Sequence, residues 1–83
     1  MSLSSMVISA VMAGGVVFND ALPNQRFCRI GDLRFVRVCL NDRWNLIVGS
    51  SFHHIGISWA AHLALEYARM GWESRCKQEG GAT

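Results

Sequence analysis

Short runs of apolar residues between positions 26 and 48 predict three antiparallel strands. The runs are RFCRI (26–30), LRFVRVCL (33–40) and WNLIV (44–48), all rich in aromatic and β-branched residues. Gly31-Asp32 lies between the first two runs and is typical of a two-residue hairpin turn. Asn41-Asp42-Arg43 lies between the second and third runs and is a weaker turn signal. We therefore predict a three-stranded antiparallel meander over about residues 26–48.

The two turns decide which side chains share a face of this meander. A turn at Gly31-Asp32 places Cys28 opposite Phe35, and a second turn at Asn41-Asp42 would place Phe35 opposite Val48. One face then becomes apolar and should face the core. It holds Cys28, Ile30, Leu33, Phe35, Cys39, Trp44, Leu46 and Val48, with Arg26 and Arg37 at one end.

The opposite face of the meander is half apolar and half basic. It holds Phe27, Arg29, Arg34, Val36, Val38, Leu40, Arg43, Asn45 and Ile47. Arg29 lies directly opposite Arg34, which is unfavourable unless an anion lies between them. Either the arginines spread into water and shield the valines, or the face binds an acidic partner or nucleic acid. The candidate binding residues are Phe27, Arg29, Arg34, Arg43 and Asn45.

Residues 58–72 (SWAAHLALEYARMGW) predict one helix, with Ser58 as the N-cap and Gly71 as the C-terminal break. Its polar residues form a single narrow stripe, which we interpret as the solvated side. The stripe consists of His62, Glu66, Arg69 and Glu73. The rest of the helix is apolar, so more than half of its circumference should be covered.

The sheet can cover only one side of such a helix. The remaining apolar surface should contact the N-terminal segment, a second copy of the chain or another protein. The candidate interface residues of this helix are Trp59, Tyr67 and Trp72. As an alternative, these aromatic side chains could pack in the core. The meander and this helix define an α+β fold.

The apolar segment 6–18 allows three interpretations. Its β-branched residues favour a strand, a turn at Gly14-Gly15 and a second strand, and we predict this hairpin. A helix from Ser5 to Gly14 is the first alternative. A signal-peptide core is the second, although no basic residue precedes Arg26. The segment is too short to span a bilayer.

Composition restricts the class of protein. The chain has 83 residues, 51% hydrophobic and 17% charged, which indicates one domain and argues against intrinsic disorder. The formal net charge of +2 is small, although seven of the eight basic residues are arginine. The odd number of cysteines favours a reducing, cytoplasmic location. Residues 78–83 (QEGGAT) are expected to be a frayed tail.

Nothing in the residue spacing indicates a catalytic or metal site. Potential ligands are Cys28, Cys39, His53, His54, His62 and Cys76, and their spacing matches no zinc pattern. Asp20, Asp32 and Asp42 lie in predicted turns, where backbone hydrogen bonding explains them. His53 and His54 are expected in a solvated loop before the helix. We therefore predict no enzyme, no cofactor and no metal.

The arrangement of three antiparallel strands and a helix over about residues 26–72 resembles small sheet-reading DNA-binding domains. Examples are the arm-binding domains of phage integrases and the plant AP2 type. This resemblance implies that the face carrying Arg29, Arg34 and Arg43 would enter the major groove. With an N-terminal helix, the order would instead resemble a double-stranded-RNA-binding domain, as does the alanine-rich stretch 60–68 (AAHLALEYA).

The predicted function is a small non-enzymatic protein-binding module. A more specific hypothesis is a phage or mobile-element protein that inhibits a host complex by direct contact. The alternative is a nucleic-acid-binding domain that uses the arginine-rich sheet face. The partner is expected to be a protein or a second copy of this chain, with nucleic acid as the alternative, and no membrane.

Overall fold

A computed structural model of the chain describes residues 2–19, 25–38, 42–49 and 54–81. Along the chain, one helix precedes the five strands and a second helix follows them. The elements are α1 (Leu3–Ala13), β1 (Val16–Asn19), β2 (Arg26–Ile30), β3 (Leu33–Arg37), β4 (Asn45–Ile47), β5 (His54–Gly56) and α2 (Trp59–Gly81). The strands form one antiparallel sheet in the order β1-β2-β3-β4-β5. The predicted α+β class is confirmed, and two strands extend the predicted meander.

The core lies between one face of the sheet and both helices. Its buried members are Val7 from α1, Ala61 and Leu65 from α2, and Phe18, Cys28, Phe35, Trp44 and Ile57. The Phe18 ring lies 6.2 Å from the Trp44 ring and 5.7 Å from the Trp72 ring. Because both helices cover the same face, no described element covers the other one, which we call the open face.

The β2–β3 hairpin has the predicted register. Cys28 lies opposite Phe35 and Arg29 opposite Arg34. Gly31 has φ +58°, a conformation that glycine adopts without steric cost in a tight hairpin turn. Local turn chemistry was therefore sufficient to predict this pair of strands.

The register between β3 and β4 differs from the prediction. Phe35 lies opposite Leu46 rather than Val48. The connection from β3 to β4 spans residues 38–44 and is longer than a two-residue turn at Asn41-Asp42. A shift by two residues keeps each side chain on its original face, so Trp44 still packs in the core. Cys39 and Leu40 lie outside the described residues.

The N-terminal half of the predicted hairpin is a helix. Ser2 caps α1, since its Oγ accepts a hydrogen bond of 3.1 Å from the Ser5 backbone. The helix ends at Gly14, which has φ +72°. Only the second arm of the predicted hairpin is a strand, β1. Packing of α1 against α2 and the core outweighs the strand preference of its β-branched residues.

The segment before α2 also contains a strand that was predicted as a loop. Residues 54–56 form β5, and Ile55 lies opposite Leu46 of β4. Three residues are too few to show the alternation that identifies a strand from sequence. Phe52 and His53 lie outside the described residues.

The long C-terminal helix α2 begins where predicted but ends later. The Ser58 Oγ accepts a hydrogen bond of 3.2 Å from the Ala61 backbone. The helix passes through Gly71 and continues to Gly81, so the predicted end at Gly71 is wrong. Glycine inside a helix costs about 1 kcal/mol, and Trp72 packs against Phe18 just beyond it. Backbone residues 78–81 of the predicted tail belong to α2.

Candidate functional site

The polar stripe of α2 faces the sheet rather than the solvent. His62 and Arg69 are each only 7% exposed. Glu66 is partly buried and lies on the same side of the helix. The prediction that this stripe is solvated is therefore wrong for His62, Glu66 and Arg69, which lie on the buried side of the helix next to Ala61 and Leu65. Glu73, at the end of the stripe, remains partly exposed.

Glu66 holds the stripe against the sheet. Its Oε1 accepts a hydrogen bond of 2.7 Å from Trp44 Nε1 and a second, charged one from Arg37 Nη1. The Arg37 guanidinium also lies 5.9 Å from the centre of the Trp44 ring. A buried arginine and a buried indole N–H each need a partner. Glu66 supplies both partners with one carboxylate oxygen.

His62 makes a second polar contact between the helix and the sheet. Its Nδ1 accepts a hydrogen bond of 3.2 Å from the Trp44 backbone N–H, so the neutral ring carries its proton on Nε2. Burial lowers the pKa of His62, Glu66 opposes this effect, and Arg37 and Arg43 add to it. The ring therefore stays neutral to lower pH than a solvated histidine.

Because His62, Glu66 and Arg69 share the buried side of α2 with Ala61 and Leu65, the exposed side of the helix is left with apolar residues. We call this surface the outer seam, defined as Ala60, Leu63, Tyr67 and Met70. Leu63 is 48% exposed, Tyr67 80% and Met70 66%. Steps of three and four residues place these side chains in one line along the helix. The same spacing occurs in helix–helix seams.

The beginning of the outer seam is marked by Trp59, which is 54% exposed. The Arg43 guanidinium lies 5.1 Å from the centre of its ring, and His62 stacks on it at 5.0 Å. The predicted position of Arg43 on the open face with Arg29 and Arg34 is therefore wrong. Arg43 precedes β4, so strand alternation does not constrain it, and it reaches the helix side instead.

Two of the three aromatic residues predicted for the helix interface are exposed, and one is not. Trp59 and Tyr67 lie on the exposed side of α2. Trp72 packs on the core instead, against the Phe18 ring. A cavity of about 340 Å³ lies between the end of α1 and α2, where Met12 and Tyr67 contribute to its lining. This cavity extends the apolar surface from α2 toward α1.

The open face brings together four of the predicted residues. Arg29 and Arg34 are paired, and Phe27 and Asn45 flank Val36 in the neighbouring row. Arg29 and Arg34 are exposed, whereas Val36 is buried. The Asn45 amide donates a 2.9 Å hydrogen bond to the Arg43 carbonyl.

Among the residues that the structure describes, the cysteine and histidine side chains do not come together in a catalytic or metal site. Burial raises the pKa of the Cys28 thiol to about 12, so the thiolate that a nucleophile requires is not formed near neutral pH. Within residues 2–19, 25–38, 42–49 and 54–81, no three His, Cys, Asp or Glu side chains cluster as metal ligands. Within these residues, neither α1 nor α2 combines the length and the hydrophobicity that a membrane span requires.

Comparison of the chain with protein-family models, with curated proteins and with solved structures finds no match. The surfaces described above therefore carry the functional argument. Leu63 and Met70 were not among the predicted interface residues. Their signal was present, because positions 60, 63, 67 and 70 repeat at steps of three and four residues.

Proposed function

We propose that the chain is a non-enzymatic protein-binding module that binds an α-helix of its partner along the outer seam. The observation that carries the proposal is the orientation of α2, with His62 and Arg69 buried and Leu63, Tyr67 and Met70 exposed. A large exposed apolar patch typically indicates an interaction surface. Tyrosine and methionine are also enriched in protein interfaces.

The spacing of the seam favours a helix as the bound element. From Ala60 to Met70 the seam extends about 15 Å, given about 1.5 Å per residue. A row of side chains at three- and four-residue steps forms a ridge that fits the groove of a second helix. The cavity beside Tyr67 and Met12 offers room for a side chain of that helix at one edge.

Charge favours an acidic partner over a second copy of this chain. One end of the seam carries the Arg43 guanidinium on the Trp59 ring, and the other end leads to exposed Arg75 and Lys77. Glu66 and Glu73 at its side are already paired with Arg37 and Arg69. In a symmetric dimer, basic ends would meet basic ends in both orientations. A partner helix with acidic residues at its ends is complementary.

Three side chains of types that carry catalysis in other proteins, Cys28, His62 and Glu66, have structural roles here, which supports a binding function. The Cys28 thiol is buried with a raised pKa. His62 Nδ1 is occupied by the Trp44 N–H, and Glu66 is engaged by Arg37 and Trp44. Inhibition of a host complex, a phage or mobile-element origin and a cytoplasmic location remain predictions within this proposal.

Photo-crosslinking inside the producing cell tests the proposal. Benzoylphenylalanine is placed at Tyr67 or at Met70, and at Val17 on the open face as the control position. Val17 is 54% exposed, comparable to Met70, and lies on the other side of the sheet. After nuclease digestion, we expect a protein adduct of defined mass from the two seam positions and no protein adduct from Val17. Its partner segment should be helical with acidic ends.

The matched variant Leu63→Glu should remove this product while leaving the far-UV circular dichroism spectrum unchanged. A product of twice the mass of the chain would instead assign the seam to a second copy and contradict the acidic partner. Identical products from Tyr67 and Val17, or none from the seam positions, would contradict the function itself.

A further inference from the structure

The open face offers a second surface, which the proposed protein-binding function does not use. Antiparallel pairing places Val17, Arg29, Arg34 and Ile47 in one row across four strands. The next row holds Asn19, Phe27, Val36 and Asn45. Neither row contains Asp or Glu. Within the described strands, the open face therefore carries basic, apolar and amide side chains and no acidic one.

Among the residues that the structure describes, the two arginines in the centre of the first row have no anionic partner. Arg29 Nη1 donates a 3.1 Å hydrogen bond to the Gly31 carbonyl, which uses one of its five N–H donors. The Arg34 side chain makes no hydrogen bond or ion pair with any residue that the structure describes. Directly opposed like charges destabilise a strand pair. An anion bound between the guanidinium groups would relieve this repulsion and receive donors from both.

An apolar depression lies next to this pair. Its volume is about 290 Å³, and Arg29, Arg34, Phe27, Val17 and Ile47 contribute to its lining. Phe27 is partly exposed and lies on the same strand face as Arg29, two residues away. A ligand in the depression could place an anionic group on the arginines and a flat apolar group against the Phe27 ring. A nucleotide unit has both groups.

We propose that the open face binds single-stranded nucleic acid, with a phosphate between Arg29 and Arg34 and a base against Phe27. In a duplex the faces of the bases are covered by stacking and only their edges are accessible. Reading edges requires polar side chains that are not already engaged. Asn45 is bonded to the Arg43 carbonyl, and Asn19, the amide residue opposite Phe27 in the depression, already has an interaction within the chain. An unstacked base can use the aromatic ring directly.

Fluorescence polarisation over a salt series tests this proposal. The probes are a fluorescein-labelled oligothymidine, a duplex of the same length and an oligoglutamate peptide. We expect micromolar binding of the single strand at low salt, and weaker binding of both other probes. The double variant Arg29→Gln/Arg34→Gln should lower the affinity by about tenfold or more. It should also reduce the salt slope by about 1.4, the value for two phosphate contacts on a single strand.

Two further variants separate stacking from charge. Phe27→Leu keeps the apolar volume, and should lower the affinity by about fivefold or more without changing the salt slope. The control Arg75→Gln removes one arginine charge from an exposed position on α2 and should change the affinity by less than about twofold. If Phe27→Leu unfolds, the arginine double variant decides the outcome through its salt slope.

Three results would overturn the proposal. These are no binding of oligothymidine at low salt, equal binding of the duplex or of oligoglutamate, and an equal loss of affinity in Arg75→Gln and the double variant. The inference is independent of the proposed protein partner. Leu63→Glu, on the outer seam, should leave oligothymidine binding unchanged.

Discussion

The buried side of α2 contains polar residues, and its exposed side is apolar, which is unusual for a surface helix. The buried side carries His62, Glu66 and Arg69 next to the core residues Ala61 and Leu65. The exposed side carries Leu63, Tyr67 and Met70. A helix on a protein surface usually buries its apolar side. Here the sheet presents Arg37 and the Trp44 indole N–H, and only a polar residue can satisfy these groups. The difference shows that specific partners can determine helix orientation when most of a helix is apolar.

Among changes to the polar residues on the buried side of α2, removal of the Glu66 carboxylate should cause the largest loss in the free energy of unfolding. Glu66→Ala leaves the buried Arg37 guanidinium without its carboxylate and Trp44 Nε1 without an acceptor. Breaking a buried ion pair from one side costs about 3–5 kcal/mol. Urea denaturation should show a loss of this size in the free energy of unfolding. Glu66→Gln keeps an acceptor for Trp44 and should lose less. A loss below about 1 kcal/mol for Glu66→Ala, as for an exposed ion pair, would contradict this account.

Two leucines on opposite sides of α2 provide the next comparison. Leu65 is fully buried in the core, and Leu63 is 48% exposed on the outer seam. Leu65→Ala should reduce the free energy of unfolding by about 2–5 kcal/mol, whereas Leu63→Ala should change it by less than about 0.5 kcal/mol. Both substitutions have the same effect on helix propensity. Equal losses measured in urea would show that the outer seam is packed rather than exposed.

The pH dependence of the free energy of unfolding tests the burial of His62, for which we expect a smaller effect than for Glu66 or Leu65. The pKa of His62 lies below its ordinary value of 6.5 in the folded chain, because burial disfavours the charged ring. The stabilisation that the neutral His62 ring provides is therefore complete above about pH 6.5. Below that pH it decreases by at most about 1.4 kcal/mol per pH unit. Urea denaturation at several pH values between about 7.5 and 5.5 measures this slope.

His62→Gln is the matched variant for this measurement. Its amide oxygen can accept the Trp44 N–H but does not titrate in this range. The variant should show a shallower decrease in stability on acidification than the wild-type chain. An identical slope in both chains would assign the pH dependence to other groups and show that protonation of His62 is not coupled to unfolding.

Local patterns predicted the sheet better than the helices. The Gly31-Asp32 turn and the alternation around it were enough to place Cys28 opposite Phe35 and to identify the core face. The outcome for α1 was different, because Val7, Ile8 and Val11 favour strands locally. The Ser2 cap and the left-handed Gly14 are compatible with a helix there, but only packing against α2 selects it.

The binding surfaces show the same division. Alternation alone placed Phe27, Arg29 and Arg34 together on the open face, because strand geometry assigns each side chain to a face. It could not place Arg43, which lies before β4 and reaches Trp59. Nor could it assign Trp72 to the core, since an apolar residue on a mostly apolar helix has no sequence signal for its direction.

Periodicity and turn residues along the chain were sufficient for the α+β class, the core face of the sheet and the arginine pair. These features depend on contacts between residues close in sequence, which local patterns record. Tertiary contacts alone decided the helical state of α1, the rotation of α2 and hence the outer seam. Each of these depends on groups far apart in the chain, such as Arg37 and Glu66. The periodicity of one sequence contains no signal for such long-range pairs, because many different pairs are compatible with the same periodicity.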